Sequence, residues 1–436
     1  MPFLIVLYLF NYLDRITLAV VGPNGMNDEL NLSAAAFGFA SGIFFAGYLL
    51  LEVPSNIALH RFGARKWIAR IVFSWGVVAS LTTFVPNAEA LYALRILLGM
   101  AEAGFAPGVL LYLTYWFPRR VQAQAIATFA VAIPLSSVVG APLMSWLVTS
   151  GDGWFGLPGW RVTILLTGLP AIVLGILCWF VLADRPASTS WLTSAERDLL
   201  EAEIAADQAV VQSQHRVRDA LKNRSVWVLA SVLFTILYGM YAIGFFLPTI
   251  IAGFQEQFAV SFSTVQVGFL TAIPYALAAG AMIMWARRAD ARRTVVVHAA
   301  AASALGSVGI GIAVVASSPL MAMVGVSLGA MGLLSALATF LAVPARMFTG
   351  VAAAACLGLV NTAGNLGSFV GPFATGWIRD LTGTTKAGLL LISAILIIGA
   401  AVLVLRFREL DRIATGDIRG GTREIVDSHS EPESPS

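Results

Sequence analysis

Charge is scarce in this sequence. Asp, Glu, Lys and Arg make up 12% of its 436 residues, about half the usual share of a soluble domain, while 58% are hydrophobic. A mean hydropathy of +0.82 sets it among membrane proteins, away from soluble enzymes and nucleic-acid-binding domains. Cysteine is nearly absent. Cys178 and Cys356 both fall inside apolar stretches, which argues against a disulfide framework and against a reactive thiol. The four histidines (His60, His215, His298, His429) sit in loops, helix ends or the tail, none at metal-ligand spacing from cysteines or carboxylates. No nucleophile–base set, phosphate-cradling glycine loop or ATP-binding domain is present. Neither an enzyme nor a cofactor is expected, and any work the chain does would draw on an ion gradient. A cleavable signal peptide is lacking too, since the first apolar stretch is long and holds Asp14 and Arg15. The chain enters that stretch without a basic lead; a start codon further upstream is expected, and mass spectrometry of the native N-terminus would test it.

What the sequence has instead is a series of apolar stretches, each near the length a bilayer-spanning helix needs (about 20 residues). They lie near 3–22, 37–59, 67–86, 90–112, 122–149 and 161–183, then near 226–252, 263–285, 294–316, 319–341, 350–378 and 387–406. A lipid-exposed backbone must satisfy its own hydrogen bonds, so all should be helical. The expected fold is an all-α membrane protein of twelve transmembrane helices in two six-helix bundles. The first bundle spans 1–183 and the second 226–408. A central loop over 184–225 joins them, and a disordered tail follows over 409–436. Thr193 and Glu196 form a capping box that should open a short amphipathic helix in that loop. Arg61, Arg65, Lys66 and Arg70 follow the second stretch; Arg119 and Arg120 the fourth; Arg287, Arg288, Arg292 and Arg293 the eighth; Arg346 the tenth. The opposite loops hold Asp28, Glu29, Glu89, Asp152 and Glu256. By the positive-inside rule both termini and the central loop are cytoplasmic in a plasma (inner) membrane.

Four charges interrupt the apolar stretches: Asp14 and Arg15 in the first, Arg95 and Glu102 in the fourth. A charge at the bilayer centre costs about 2.5–3.5 kcal/mol on insertion scales, so these groups should face a cavity or one another. Two motif-bearing stretches surround them. Tyr12, Asp14 and Arg15 stand in the first helix. Arg95, Gly99, Glu102 and Gly104 stand in the fourth. With Glu52 to Asn56 leading into Arg61, Gly63 and Arg65, with Trp191 to Arg197, and with Asn361 to Gly371, they make the chain resemble the major facilitator superfamily. Within it the resemblance is to the anion:cation symporter family, in its tartrate, phthalate and allantoate permease branch. That resemblance covers nearly the whole chain and implies an anion carried with protons. Two departures stand out: Asp290 is followed by Ala291 where the second basic turn usually pairs Asp with Arg, and Leu341 stands where relatives often have tryptophan, which would remove a wall of the substrate pocket.

The residues support the same chemistry. Asn11, Tyr12 and Arg15 share a helix face at three- and four-residue spacing. Arg15 offers a planar, permanently charged fork for a carboxylate, and Tyr12 a hydroxyl for its oxygens. Asp14, turned away from Arg15 and withdrawn from water, is suited to carry a proton. Arg95 and Glu102 lie two helical turns apart on nearly one face, with Gly99 leaving space between them. They should interact while the site is empty, and a proton on Glu102 would free Arg95 for substrate. Asn361, Asn365 and Ser368 line one face of the eleventh helix as neutral candidates, with an interhelical hydrogen-bonding role equally open at Asn361. Tyr48, Tyr238 and Tyr241 are lesser candidates, while Gly104, Pro107, Gly108, Pro134 and Gly140 read as bending and packing residues. Arg61, Gly63 and Arg65 either anchor topology or take part in gating.

The function expected is proton-coupled import of a small organic anion, such as tartrate, a phthalate-like aromatic acid, a sugar acid or a ureido acid. The partners are that anion, protons and the lipid bilayer, with no nucleic acid, and one chain holds a complete path. The alternatives are an exporter of amphipathic compounds by proton antiport, and a non-transporting anion sensor.

Overall fold

A computed structural model describes residues 1–186, 189, 192–209, 224–292, 294–347 and 350–406. Of these, 60, 119, 120, 123, 205–209, 344–347 and 350–357 are described by backbone alone. The tail over 409–436, Trp191, Arg293 and the stretch 210–223 of the central loop with His215 lie outside the described residues, as does the side chain of Cys356.

Every regular element among the described residues is helical. The first half comprises α1 (Pro2–Val21), α2 (Ala34–Phe62), α3 (Ala64–Leu81), α4 (Ala88–Glu102), α5 (Phe105–Thr114), α6 (Arg119–Ala130), α7 (Ala132–Ser150) and α8 (Gly159–Val181). Next comes α9 (Ser194–Ala209). The second half comprises α10 (Arg224–Phe258), α11 (Thr264–Arg292), α12 (Val295–Val315), α13 (Pro319–Met347), α14 (Gly350–Thr382) and α15 (Thr385–Leu405). Among the described residues, eleven helical stretches are long and apolar enough to cross a membrane, α4–α5 and α6–α7 each counting as one. The twelfth long helix is α14, with 33 residues. Several helices outrun their apolar stretches because polar residues extend them past the bilayer, as Arg287 to Arg292 do for α11.

Local chemistry sets the ends. Ser33 Oγ accepts from Ala36 N at 3.2 Å and Asn87 Oδ1 from Ala90 N at 2.9 Å, capping α2 and α4. The fourth stretch does not run straight through. It breaks after Glu102 because Gly104 takes φ +84°, where a Cβ would strike Ser55. The capping box forms as read: Glu196 N donates to Thr193 Oγ1 at 3.3 Å, and Thr193 N donates back to Glu196 Oε2 at 3.0 Å. The donated backbone bond holds the Glu196 carboxyl below the usual carboxylate range.

The packing pairs repeat between halves. In the first, α1 packs on α7, α2 on α4 and α3 on α8; in the second, α10 packs on α14, α11 on α13 and α12 on α15. The halves meet along α2–α14, α7–α11 and α1–α10. Phe180, Leu320 and Leu405 stay 77%, 75% and 82% exposed, a surface suited to lipid and not to water.

The two ends of the bundle differ. At the end opposite the basic turns, α2 and α14 touch backbone to backbone, with Gly38 against Pro372, Gly42 against Phe369 and Gly376 against Ala34. Asp380, at the end of α14, accepts from Ala34 N at 3.0 Å and Ala35 N at 2.7 Å, so it caps a helix of the other half. Glu29 accepts from Trp160 Nε1 at 2.6 Å and from Arg161 Nη2 at 2.8 Å; Arg161 also donates to the carbonyls of Thr83 and Val85. At the basic end Asn361 Nδ2 donates across the halves to Glu52 Oε1 at 3.1 Å.

Asp380→Ala removes an inter-half cap worth about 1 kcal/mol at a helix end. Thr264 Oγ1 donates to Asn24 Oδ1 of the other half at 3.4 Å, and a cysteine placed there is then expected to react about fivefold faster with a membrane-impermeant maleimide; an unchanged rate would show that the cap does not hold this end shut.

Candidate functional site

The break after Glu102 decides the site. It leaves Glu102 as the last residue of α4, fully buried and facing α1. Asn11 and Arg15, one turn apart on α1, converge on a single oxygen of that carboxylate. Asn11 Nδ2 donates to Oε2 at 2.7 Å, Arg15 Nε at 3.0 Å and Arg15 Nη2 at 2.9 Å. The other oxygen, Oε1, is buried with no hydrogen-bond partner among the described residues.

Aromatic rings frame the guanidinium. The Arg15 Cζ lies 5.2, 5.1 and 5.5 Å from the ring centres of Tyr12, Phe44 and Tyr48. Arg95, only 1% exposed, approaches the same Phe44 ring at 5.0 Å. Phe44 thus carries a guanidinium against it from both α1 and α4. Arg95 Nε donates to the Ala40 carbonyl at 3.2 Å, while its Nη2 finds no partner among the described residues. Asp14 is buried at 5% exposure, its Oδ2 is likewise unpaired, and the charges of Glu102, Arg95 and Arg15 all act on it.

Two expectations are corrected here. Glu102 is held by Arg15 and not by Arg95, because seven residues rise about 10.5 Å along a helix, whereas Arg15 reaches the carboxylate sideways from α1. Gly99 leaves no open space in its stripe: the α2 backbone at Phe44 fills it, so the glycine serves the α2–α4 contact.

Tyr12 and Arg15 line a narrow cavity of about 40 Å³ between the halves, with Ser137 and Pro134 from α7, Tyr241 and Gly244 from α10, Tyr275 from α11 and Leu334 from α13 among its walls. The other candidates fall elsewhere. Tyr48 is buried behind Arg15, and Asn361 is exposed and engaged with Glu52. Asn365 is half-buried and Ser368 fully buried, neither on this cavity wall. Leu341 is 51% exposed and also off the wall, so its difference from tryptophan does not reshape the cavity. Pro134, read as a packing residue, is part of the wall.

The sequence reading missed Phe44, Ser137, Met240 and Tyr275. An uncharged residue in an apolar stretch gives no sign of whether it faces lipid, a neighbour or a cavity. It also missed Asp184, the residue to which the basic turn is fastened. Gly63, at φ +88°, turns the chain so that Arg65 N donates to Asp184 Oδ1 at 2.8 Å, and a Cβ at Gly63 would crowd that carboxylate. The Arg65 guanidinium stands 3.9 Å from the same group, and Arg61 Cζ lies 5.6 Å from the Phe62 ring.

A double-mutant cycle separates the two pairings. Arg15→Gln with Glu102→Gln is expected to show a coupling of about 0.5–3 kcal/mol in thermal or denaturant unfolding, while Arg95→Gln with Glu102→Gln should show a smaller one. The reverse order would restore the pairing of Arg95 with Glu102.

Comparison with known proteins completes the description. The family model of the Major Facilitator Superfamily matches residues 4–290. A protein of Agrobacterium vitis, provisionally named a tartrate transporter, is 39% identical over 408 residues, covering 93% of this chain and 92% of the relative. The metabolite transport protein NicT of Pseudomonas putida, also provisionally named, is 37% identical over 407 residues, covering 92% and 91%. A quinolone resistance transporter of Acinetobacter baumannii is 34% identical over 416 residues, covering 95% and 94%. Among solved structures, a bacterial homologue of the human lysosomal transporter Spinster superposes with a TM-score of 0.71 at 16% identity, over 93% of this chain and 96% of that one. The xylose transporter XylE of Escherichia coli gives 0.68 at 13%, over 92% and 98%. The chain belongs to the Major Facilitator Superfamily.

Proposed function

We propose that this transporter carries a small organic anion into the cell together with protons, by rocking two six-helix bundles about the cavity at Arg15. The observation that carries the reading is the ion pair of buried Glu102 with Arg15, the cation on the cavity wall. While Glu102 is ionised it neutralises Arg15. A proton on Glu102 releases the guanidinium to a substrate carboxylate, and the site is again neutral. With proton or anion alone, a buried charge is left unpaired, which costs several kcal/mol. The halves therefore rock readily when both are bound or neither is, and that is coupling. Asp14, beside Arg95, supplies a second carboxylate in the same cluster.

Arg95 acts on this reading from behind Phe44, tuning the charge balance without touching substrate. The basic turns place their end of the bundle in the cytoplasm, with both termini there and the chain multi-pass in the plasma membrane. The contacts of Asp380 and of the α2–α14 glycines then close the outer side. One chain contains the whole path. The tartrate name of the Agrobacterium relative supports a carboxylate cargo.

A second reading, export of amphipathic compounds by proton antiport, is favoured by the apolar walls at Ile133, Met240, Phe245 and Leu334 and by the name of the Acinetobacter relative. The direction of coupling separates the two.

In proteoliposomes, an inward proton gradient is expected to drive accumulation of a radiolabelled carboxylate. Glu102→Gln and Asp14→Asn should each abolish accumulation while keeping substrate exchange, and Arg15→Ala should abolish both. Accumulation that persists in Asp14→Asn removes that residue from coupling. Efflux driven by the inward gradient would favour the exporter.

A further inference from the structure

The proposed cycle leaves one buried carboxylate without a role. Glu52 of α2 is 8% exposed and makes no ion pair among the described residues. A carboxylate withdrawn from water without a cation is costly, so its few partners matter. Asn361 Nδ2 of α14 donates to it from the other half at 3.1 Å. Arg15 of α1 reaches it only by its charge, being bonded to Glu102. Tyr48, one turn back on α2, takes the charges of Glu52, Arg15 and Glu102 together. The other helices packed on α2, which are α3, α4 and α5, bring no described group that acts on Glu52 directly.

Glu52 stands where the α2–α14 seam ends. The seam starts at the outer end, where Gly376 meets Ala34, and continues through Gly38 and Gly42. Glu52 lies about 15 Å beyond Gly42, toward the basic end. Past it the helices part: a Cβ on Gly358, one turn nearer the basic end than Asn361, would meet nothing within 4 Å. The cavity, at about 40 Å³, is too narrow to pass an organic anion, so the halves must separate here before cargo leaves. We propose that Glu52 is a third proton-coupling residue and the inner latch of the path: ionised, it holds α14 through Asn361, and a proton on it loosens that hold and lets the basic end open. A hydrogen bond to a carboxylate is roughly twice as strong as one to a neutral acceptor, which gives the proton its leverage. On reclosing, the proton leaves Glu52 for cytoplasmic water. This rests on two halves rocking about the cavity, as proposed above, and not on the identity of the cargo.

Opening can be read without cargo. In inside-out membrane vesicles, the full chain with Cys178 and Cys356 replaced by serine is labelled by a membrane-impermeant maleimide at Leu334→Cys, on the cavity wall. The rate is taken relative to Leu199→Cys, at a position that is 71% exposed. That ratio is expected to rise as the pH outside the vesicles falls. Glu52→Gln, uncharged but still able to accept from Asn361, should raise it about fivefold and remove most of the pH dependence. Glu52→Asp should keep the dependence. Asn361→Asp should invert it, because two carboxylates repel when both are ionised and share a proton when one is not. Asn361 is exposed, so that variant carries the test if those at Glu52 do not fold. An unchanged ratio in Glu52→Gln, or a pH dependence of unchanged sign in Asn361→Asp, overturns the latch. A dependence that survives in Glu52→Gln belongs to Asp14 or Glu102 and overturns the role of Glu52. Labelling as expected with no proton-driven accumulation of any carboxylate overturns the organic-anion reading and leaves the latch standing.

Discussion

The interior of this protein is organised around a guanidinium that cannot be left alone. Arg15 sits in a helix that crosses a low-dielectric slab, where an uncompensated charge is costly and a paired one costs less. Its partner is Glu102, and the geometry of that pairing fixes much else. The fourth span must break at Gly104 so that Glu102 ends a helix facing α1. Asn11 must stand one turn before Arg15 to share the same oxygen. Phe44 must lie between Arg15 and Arg95, so Gly99 must be small enough to admit the α2 backbone.

The same pair joins structure to function. It fastens α1 to α4 within one half, yet Arg15 also faces the cavity shared with the other half. On the proposed reading Arg15 is both a structural counter-ion and a ligand, so occupancy is coupled to the state of its partner. Between the halves, the close α2–α14 glycine contact is joined by polar bonds at the two ends. Asp380 on the first turn of α2 and Glu52 with Asn361 are hydrogen bonds of the kind that can be exchanged for water.

The spans, the capping box at Thr193 and the set of buried charges were legible in the sequence. Hydropathy, capping and the cost of a charge in lipid all depend on a residue and its near neighbours along the chain. The twelve stretches accordingly match the helices, apart from ends that run further and a fourth and fifth span each broken in two. The face shared by Asn11, Tyr12 and Arg15 is likewise a matter of helical spacing, and all three meet at the site.

Which charge pairs with which was decided only by the tertiary structure. Helical spacing placed Arg95 and Glu102 on one stripe, but the rise along a helix set them too far apart, and the approach of α1 gave Glu102 to Arg15 instead. Nor could the sequence distinguish Tyr275, which faces the cavity, from Leu341, which does not, since both sit in apolar stretches. Asp380 reads as one more charge at a helix end until α2 of the other half brings its first turn alongside. The sequence determined which groups had to be buried and helical; the crossing of the helices, set by where glycine lets backbones touch, determined which of those groups met.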